Sequence, residues 1–220
     1  MTRPISPELL IRIQKHERWL ETFETEGQQL VLQQVDLRDM DLTGQDLARV
    51  ALGHVRLDRA LLCAANLNDA NFYECSFVET VLDDAQLIEA DATQCNFSNA
   101  SLCRVHAISA EFMEANLCDA NLEACNFYDV DLQDANLTRA NFSYANLRGT
   151  YLPRARLAHA TLTGAQVEGA TFVGATGIET VEVEWLDIGS KDVPQRLEGE
   201  QARKWLLIAA AGRAERKASA

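Results

Sequence analysis

From Leu32 to Phe172 every fifth residue is apolar, and the phase never slips. The series has 29 positions, and all but Ala92, Ala107 and Val167 are Leu or Phe. A period of five fits neither the 3.6 of a helix nor the 2 of a strand, so the pattern is that of a repeat. A second column lies two residues before each large one and holds small or modest side chains, among them Ala60, Ala65, Cys75, Thr80, Ala90, Cys95, Ala140 and Ala160. Between the two columns the residue is usually Asn or Asp, as in Ala115-Asn116-Leu117-Cys118-Asp119. In an extended segment, residues two apart point to the same side. Asn and Asp bond to nearby backbone and tolerate tight bends. A short extended piece and a bend, repeated, should wind into an all-β solenoid with Leu, Phe and Ala inside.

The flanks follow other rules. Ser6-Pro7-Glu8 reads as an N-cap, a first helical residue and a first-turn acid. Leu9, Ile13, His16, Leu20 and Phe23 recur at helical spacing, and the helix should end near Gly27. After Phe172 the pattern decays. Thr180 to Trp185 alternates, with Val181, Val183 and Trp185 on one side, and predicts a strand. A loop with Gly189 and Pro194 leads to a helix over roughly 198–211, whose apolar face carries Ala202, Trp205, Leu206 and Ala209. The tail from Gly212 is polar and expected to fray. The expected organisation is an N-terminal capping helix (1–29), a β-helix (30–177) and a C-terminal strand, loop and helix (178–220). Solenoids need such caps, since an end coil exposes backbone and apolar side chains.

The Ala-Asn-Leu-x-x units resemble the pentapeptide-repeat family, whose motif is similar to Ala-(Asp/Asn)-Leu-x-x, over about two thirds of the chain. The resemblance implies a right-handed quadrilateral β-helix with 20 residues per coil. About seven coils at roughly 4.8 Å spacing make a rod on the order of 34 Å long. It says less about activity, because a fold does not fix a function. Related proteins dimerise through C-terminal elements, which makes Trp185, Trp205 and Leu206 candidate dimer contacts.

Chemistry is sparse. The chain has no GxSxG, Walker loop, GxGxxG or HExxH, and His16, His54, His106 and His159 are scattered, so neither catalysis, a cofactor nor a metal is expected. Cys75, Cys95 and Cys125 fall in the small inward column, and Cys63, Cys103 and Cys118 lie just after the large residue, on the outside. With no CxxC, no signal-peptide pattern and no long apolar run, a cytoplasmic protein without a membrane segment is expected.

Charge changes the picture most. The formal net charge is −13, which argues against direct nucleic-acid binding. From Asp69 to Asp134 there are 14 acids and one base, Arg104; from Ala135 to Val167 there are four arginines and no acid. With 20-residue coils, Glu74, Asp91, Glu111, Glu114, Asp131 and Asp134 fall on one face, and Asp69, Glu89 and Asp129 lie at the bend before it. Stacked like charges repel and do not help the fold. They either keep the rod soluble or bind a protein partner with a basic surface. One subset of the resembled family mimics duplex DNA, binds DNA gyrase and protects it from quinolones or peptide toxins. The unbroken repeat column and acidic rod fit that subset; the lack of projecting loops and the N-terminal helix depart from it. A non-enzymatic scaffold with an acidic binding face is the first expectation, and a gyrase-directed DNA mimic the alternative.

Overall fold

The computed structural model describes residues 2–212; the tail expected to fray lies almost wholly outside them. Its elements are α1 (Pro7–Glu21), β1 (Val31–Gln33), β2 (Ala51–Gly53), β3 (Asn71–Tyr73), β4 (Trp185–Asp187), β5 (Arg196–Glu198) and α2 (Gly199–Ala210). Strands β1, β2 and β3 pair in parallel, in register Leu32↔Leu52 and Leu52↔Phe72. Single parallel bridges carry the 20-residue register onward, through Asn71↔Asp91, Asp91↔Glu111, Glu111↔Asp131 and Asp131↔Tyr151. Three further bridge columns begin at Asp36, Asp41 and Asp46. The chain is therefore a parallel β-solenoid with four columns, here called faces 1 to 4 after their first inward residues Leu32, Leu37, Leu42 and Leu47.

One repeat accounts for all of its backbone donors. The Leu117 and Asp119 N–H groups reach the next coil, at Asn136 O (2.8 Å) and Thr138 O (3.0 Å). Asn116 N–H reaches back to Cys95 O (2.9 Å), and Ala120 N–H closes the turn on Leu117 O (3.1 Å). The fifth, Cys118 N–H, goes to Asn116 Oδ1 (3.3 Å), and the Asn136 side-chain amide donates to that same oxygen (2.8 Å). The Asn column thus caps the turn and links the coils, which is why these small amides recur. The third residue of each turn has positive φ, with Asp119 at 59° and Arg139 at 59°. A lone L-residue there is strained by about 1–2 kcal/mol, and the inter-coil bonds hold it.

Every large residue of the five-residue column is buried. The phenyl rings of Phe72, Phe77, Phe97, Phe112, Phe127 and Phe142 form a continuous chain, with centroids between 4.6 and 6.1 Å apart. The small column is buried too, apart from Val35 and Gln45 in the first coil and Ala170 at its end, which are half-buried. Its two buried threonines are satisfied by main-chain carbonyls: Thr80 Oγ1 donates to Leu57 O (2.7 Å) and Thr150 Oγ1 to Phe127 O (2.8 Å). The six cysteines are all free; Cys75, Cys95 and Cys125 are buried, and Cys63, Cys103 and Cys118 are half-buried on the outside. Burial pushes the Cys75 thiol up to about 11.

Helix α1 starts as the sequence predicts, with Ser6 Oγ accepting the Leu9 N–H (3.2 Å). It ends a turn earlier than Gly27, because Thr22 caps it and Phe23 and Glu24 turn to positive φ. Phe23 therefore leaves the apolar face and is 90% exposed. Gly27 lies in the return of the chain over the helix, where a Cβ would sit 2.3 Å from Lys15 O. Leu9, Ile13 and His16 bury against the first coil, and polar groups reach its open carbonyls. Arg12 donates to Val31 O (2.5 Å), Arg3 to Asp36 O (2.6 Å) and His16 Nε2 to Ala48 O (2.9 Å).

At the other end the predicted strand is displaced. Residues Ile178–Thr180 form a 3₁₀ turn, and the bridges Thr161↔Glu182 and Gln166↔Asp187 span 21 residues. One extra residue thus breaks the register, and β4 begins only at Trp185. It pairs antiparallel with β5, and α2 closes the end with Ala202, Leu206 and Ala209 buried. Among the described residues no helix is long and apolar enough to cross a membrane.

Candidate protein-interaction surface

The 20-residue register stacks Asp91, Glu111 and Asp131 in the outward column of face 1. Glu74, Glu114 and Asp134 occupy the positive-φ position of the same face, so all six predicted acids come together. They are not equivalent. Asp91 and Asp131 cap their own turns, accepting Thr93 N–H (3.0 Å) and Gln133 N–H (2.8 Å). Glu114 accepts from Gln94 (3.0 Å), and Glu74 stands 3.4 Å from His54 Nδ1. The Glu74 carboxylate also raises the Tyr73 phenol. Asp134 is gripped by the Arg154 guanidinium (2.7 and 2.5 Å), which holds its carboxyl below the usual range. Only Glu111 of the six makes no hydrogen bond or ion pair with a described residue.

Unpaired charge gathers on the corner where face 4 turns into face 1, while the unpaired Glu79 of face 2 and Glu123 of face 3 stand singly. Asp69, Glu89 and Asp129 occupy the last outward position of face 4, and Glu111 stands just around the bend. All four are exposed, and none is hydrogen-bonded or ion-paired to a described residue. Faces 2 and 3 are built differently. Asp36, Asp39, Asp84 and Asp119 each meet an arginine one coil on: Arg56 (3.1 Å), Arg59 (2.7 Å), Arg104 (2.7 Å) and Arg139 (2.5 Å). Those arginines hold Asp39, Asp84 and Asp119 below the ordinary carboxylate range, while Arg38 does most for Asp36.

The candidate dimer contacts are engaged within the chain. Leu206 is fully buried, because it is the residue by which α2 covers the last coil. Trp205 packs edge-on against Phe172 (6.1 Å), and Trp185 lies between Tyr144 (6.4 Å) and the Arg196 guanidinium (4.3 Å). The apolar surface that α2 leaves open is Leu207 and Ile208 instead. No group of His, Cys, Asp and Glu among the described residues could hold a metal ion.

Sequence reasoning missed face 4 itself. The residues after its buried column run Ile88, Ile108, Tyr128 in successive coils, and the segment Ser190–Pro194 stands over the last of them. Between the two lies a cleft of about 760 Å³. The apolar run is legible at 20-residue spacing; the overhang is not, because it depends on the slipped register after Gly177.

Comparison with known proteins agrees with this architecture. Residues 91–172 match a family model described as "Pentapeptide repeat region", and residues 65–104 one described as "Pentapeptide repeats (8 copies)". A trypsin-treated form of QnrB1, a plasmid-mediated fluoroquinolone resistance protein, aligns with a TM-score of 0.59 and 19% identity, over 70% of this chain and 78% of its own. HetL of the cyanobacterium Nostoc, a pentapeptide-repeat protein involved in heterocyst differentiation regulation, aligns at 25% identity over 78% of this chain and 94% of its own, with a TM-score of 0.34. No curated protein sequence matches the chain. The QnrB1 likeness is one of fold.

Proposed function

The chain belongs to the pentapeptide-repeat proteins, and on that premise we propose that it is a non-enzymatic scaffold. It is a right-handed quadrilateral rod of about seven coils that presents an acidic edge to a basic protein partner. The observation that carries this reading is the bare corner of Asp69, Glu89, Glu111 and Asp129. Stacked carboxylates at roughly 5 Å repel one another and contribute nothing to folding. Elsewhere the lattice pairs an arginine with an aspartate one coil away, whereas at this corner Arg49, one coil from Asp69, is held by Glu24 instead. Unpaired charge of one sign steers and selects an oppositely charged partner.

The test is a pair of charge reversals. Glu89→Lys with Glu111→Lys and Asp129→Lys should abolish retention of a partner that wild-type protein captures. Glu79→Lys with Glu123→Lys, on faces 2 and 3, should leave it unchanged. Equal loss from both sets would reduce the corner to general acidity.

Charge density favours a second reading, a DNA-like rod directed at gyrase. Between Asp69 and Asp134 there are 14 carboxylates. Arg104, Arg139 and Arg154 each pair with one of them, which leaves 11. The segment is roughly 16 Å of rod, over which duplex DNA carries nine or ten charges. Inhibition of gyrase supercoiling by wild-type protein, and not by the corner reversal, would support it. No inhibition at tens of micromolar protein would remove it.

A further inference from the structure

Face 4 is the only face whose first outward position is a large apolar residue in three successive coils, Ile88, Ile108 and Tyr128. The two isoleucines are half-buried and Tyr128 is 48% exposed. This stripe runs beside the acidic corner and ends in the cleft beneath Ser190–Pro194. The overhang is anchored at its neck. Asp187 Oδ1 accepts the Gly189 N–H (3.0 Å) and the Gln195 N–H (2.8 Å), and Ile188 N–H bonds Gln195 O (2.9 Å). The other Asp187 oxygen lies 3.3 Å from Arg148, which also stands 3.5 Å from Glu168. The loop is thus tied to the rod, and the groove exists without an occupant to shape it. Its volume lies within the usual range for a ligand pocket, about 300–1,000 Å³.

We propose that this groove docks a short extended segment of a protein partner, whose large apolar side chain rests on Ile108 and Tyr128 while flanking lysines or arginines reach Glu89 and Asp129. Charge complementarity selects that occupant. Within the groove charge is nearly balanced, since Arg148 stands between Glu168 and Asp187, and Lys191 accompanies Asp192 in the lining. The unmet carboxylates are Glu89 and Asp129, which directly follow Ile88 and Tyr128 along the stripe. A purely basic segment would leave the stripe uncovered, and a purely apolar one would leave the carboxylates unmet. The inference rests on the acidic-edge reading above and adds to it an apolar anchor and a position.

The experiment uses the full chain and two fluorescein-labelled six-residue peptides of equal charge, one alternating lysine with leucine and one lysine with serine. Fluorescence anisotropy should show the leucine peptide binding about tenfold more tightly, as burial of one aliphatic side chain provides. Tyr128→Ser, an exposed position that leaves the core untouched, should erase that preference and leave the serine peptide's affinity as it was. Glu89→Lys with Asp129→Lys should weaken both peptides. Equal binding of the two peptides to wild-type protein, or a preference that survives Tyr128→Ser, overturns the groove and leaves the acidic edge standing. Indifference of both peptides to the charge reversal overturns the edge itself, and the groove with it.

Discussion

Two sides of this rod share one skeleton and differ in what they do with charge. On faces 2 and 3, aspartates meet arginines set one coil further on. On the corner of faces 4 and 1, Asp69 and Glu89 stand in successive coils, Asp129 follows beyond Ser109, and the arginine of that column, Arg49, is turned to Glu24. Backbone bonds, inward columns and turn geometry repeat on both sides. The lattice therefore leaves outward positions free, and a difference between them reports on surroundings of the molecule more than on its folding. Without the paired side for contrast, the bare side would read as ordinary acidity.

The largest expected effects test whether the two sides do share a core. Leu117→Lys on face 2 and Phe127→Lys on face 4 each bury an unpaired ammonium, and each should cost several kcal/mol and break a coil. A melting midpoint that falls for one and holds for the other would mean the faces are independent. Next in size are the amide ladders. Asn116→Ala on face 2 removes a turn cap and two inter-coil bonds, and Asn146→Ala on face 4 a turn cap and one, each for about 1–2 kcal/mol by denaturant titration.

Acid should separate a cap from the sides. His16 is fully buried, with Nδ1 accepting the Leu30 N–H (3.1 Å) and Nε2 donating to Ala48 O. Burial lowers its pKa, and Arg49 adds to that; the Ala48 carbonyl and Asp46 oppose them, and Trp19 stacks on the ring at 5.6 Å. A neutral imidazole in the fold and a protonatable one in the unfolded chain mean that stability is full above about pH 6.5 and declines below it. Protection of α1 amides against hydrogen exchange, relative to their intrinsic rates, should fall first on acidification, and His16→Gln should flatten that dependence. The paired aspartates act lower: Asp39, Asp84 and Asp119 are held down in the fold, so their contribution persists above about pH 4 and is lost as pH falls through their lowered values. The smallest effect should come from breaking one pair. Arg139→Ala should lower the melting midpoint slightly, whereas Asp129→Asn should leave it level or raise it, since only the first removes an attraction.

Much of this was legible in the residues because a five-residue period admits few solutions. The inward columns, the 20-residue stacking of Asp91, Glu111 and Asp131, and the face carrying Glu74 and Asp134 all follow from counting. Counting does not show which carboxylates are already occupied. Whether Asp91 caps Thr93, or Arg154 bends back to Asp134, depends on side-chain reach across a coil. The ends were less legible, since no repeat constrains them. Phe23 keeps helical spacing yet lies beyond the helix, and Leu206 resembles a contact residue while serving as a plug.

The bridge register carries a last consequence, for how such a chain can change in length. Gaining or losing five residues keeps every leucine pointing inward, so the product still folds. All downstream columns, however, move round by one face, and a ridge assembled from four coils is split between two walls. Only twenty residues at a time can be copied or dropped without scrambling the outside. A surface written on this rod is thus far more sensitive to small insertions than the rod itself, and its integrity depends on counting by fours.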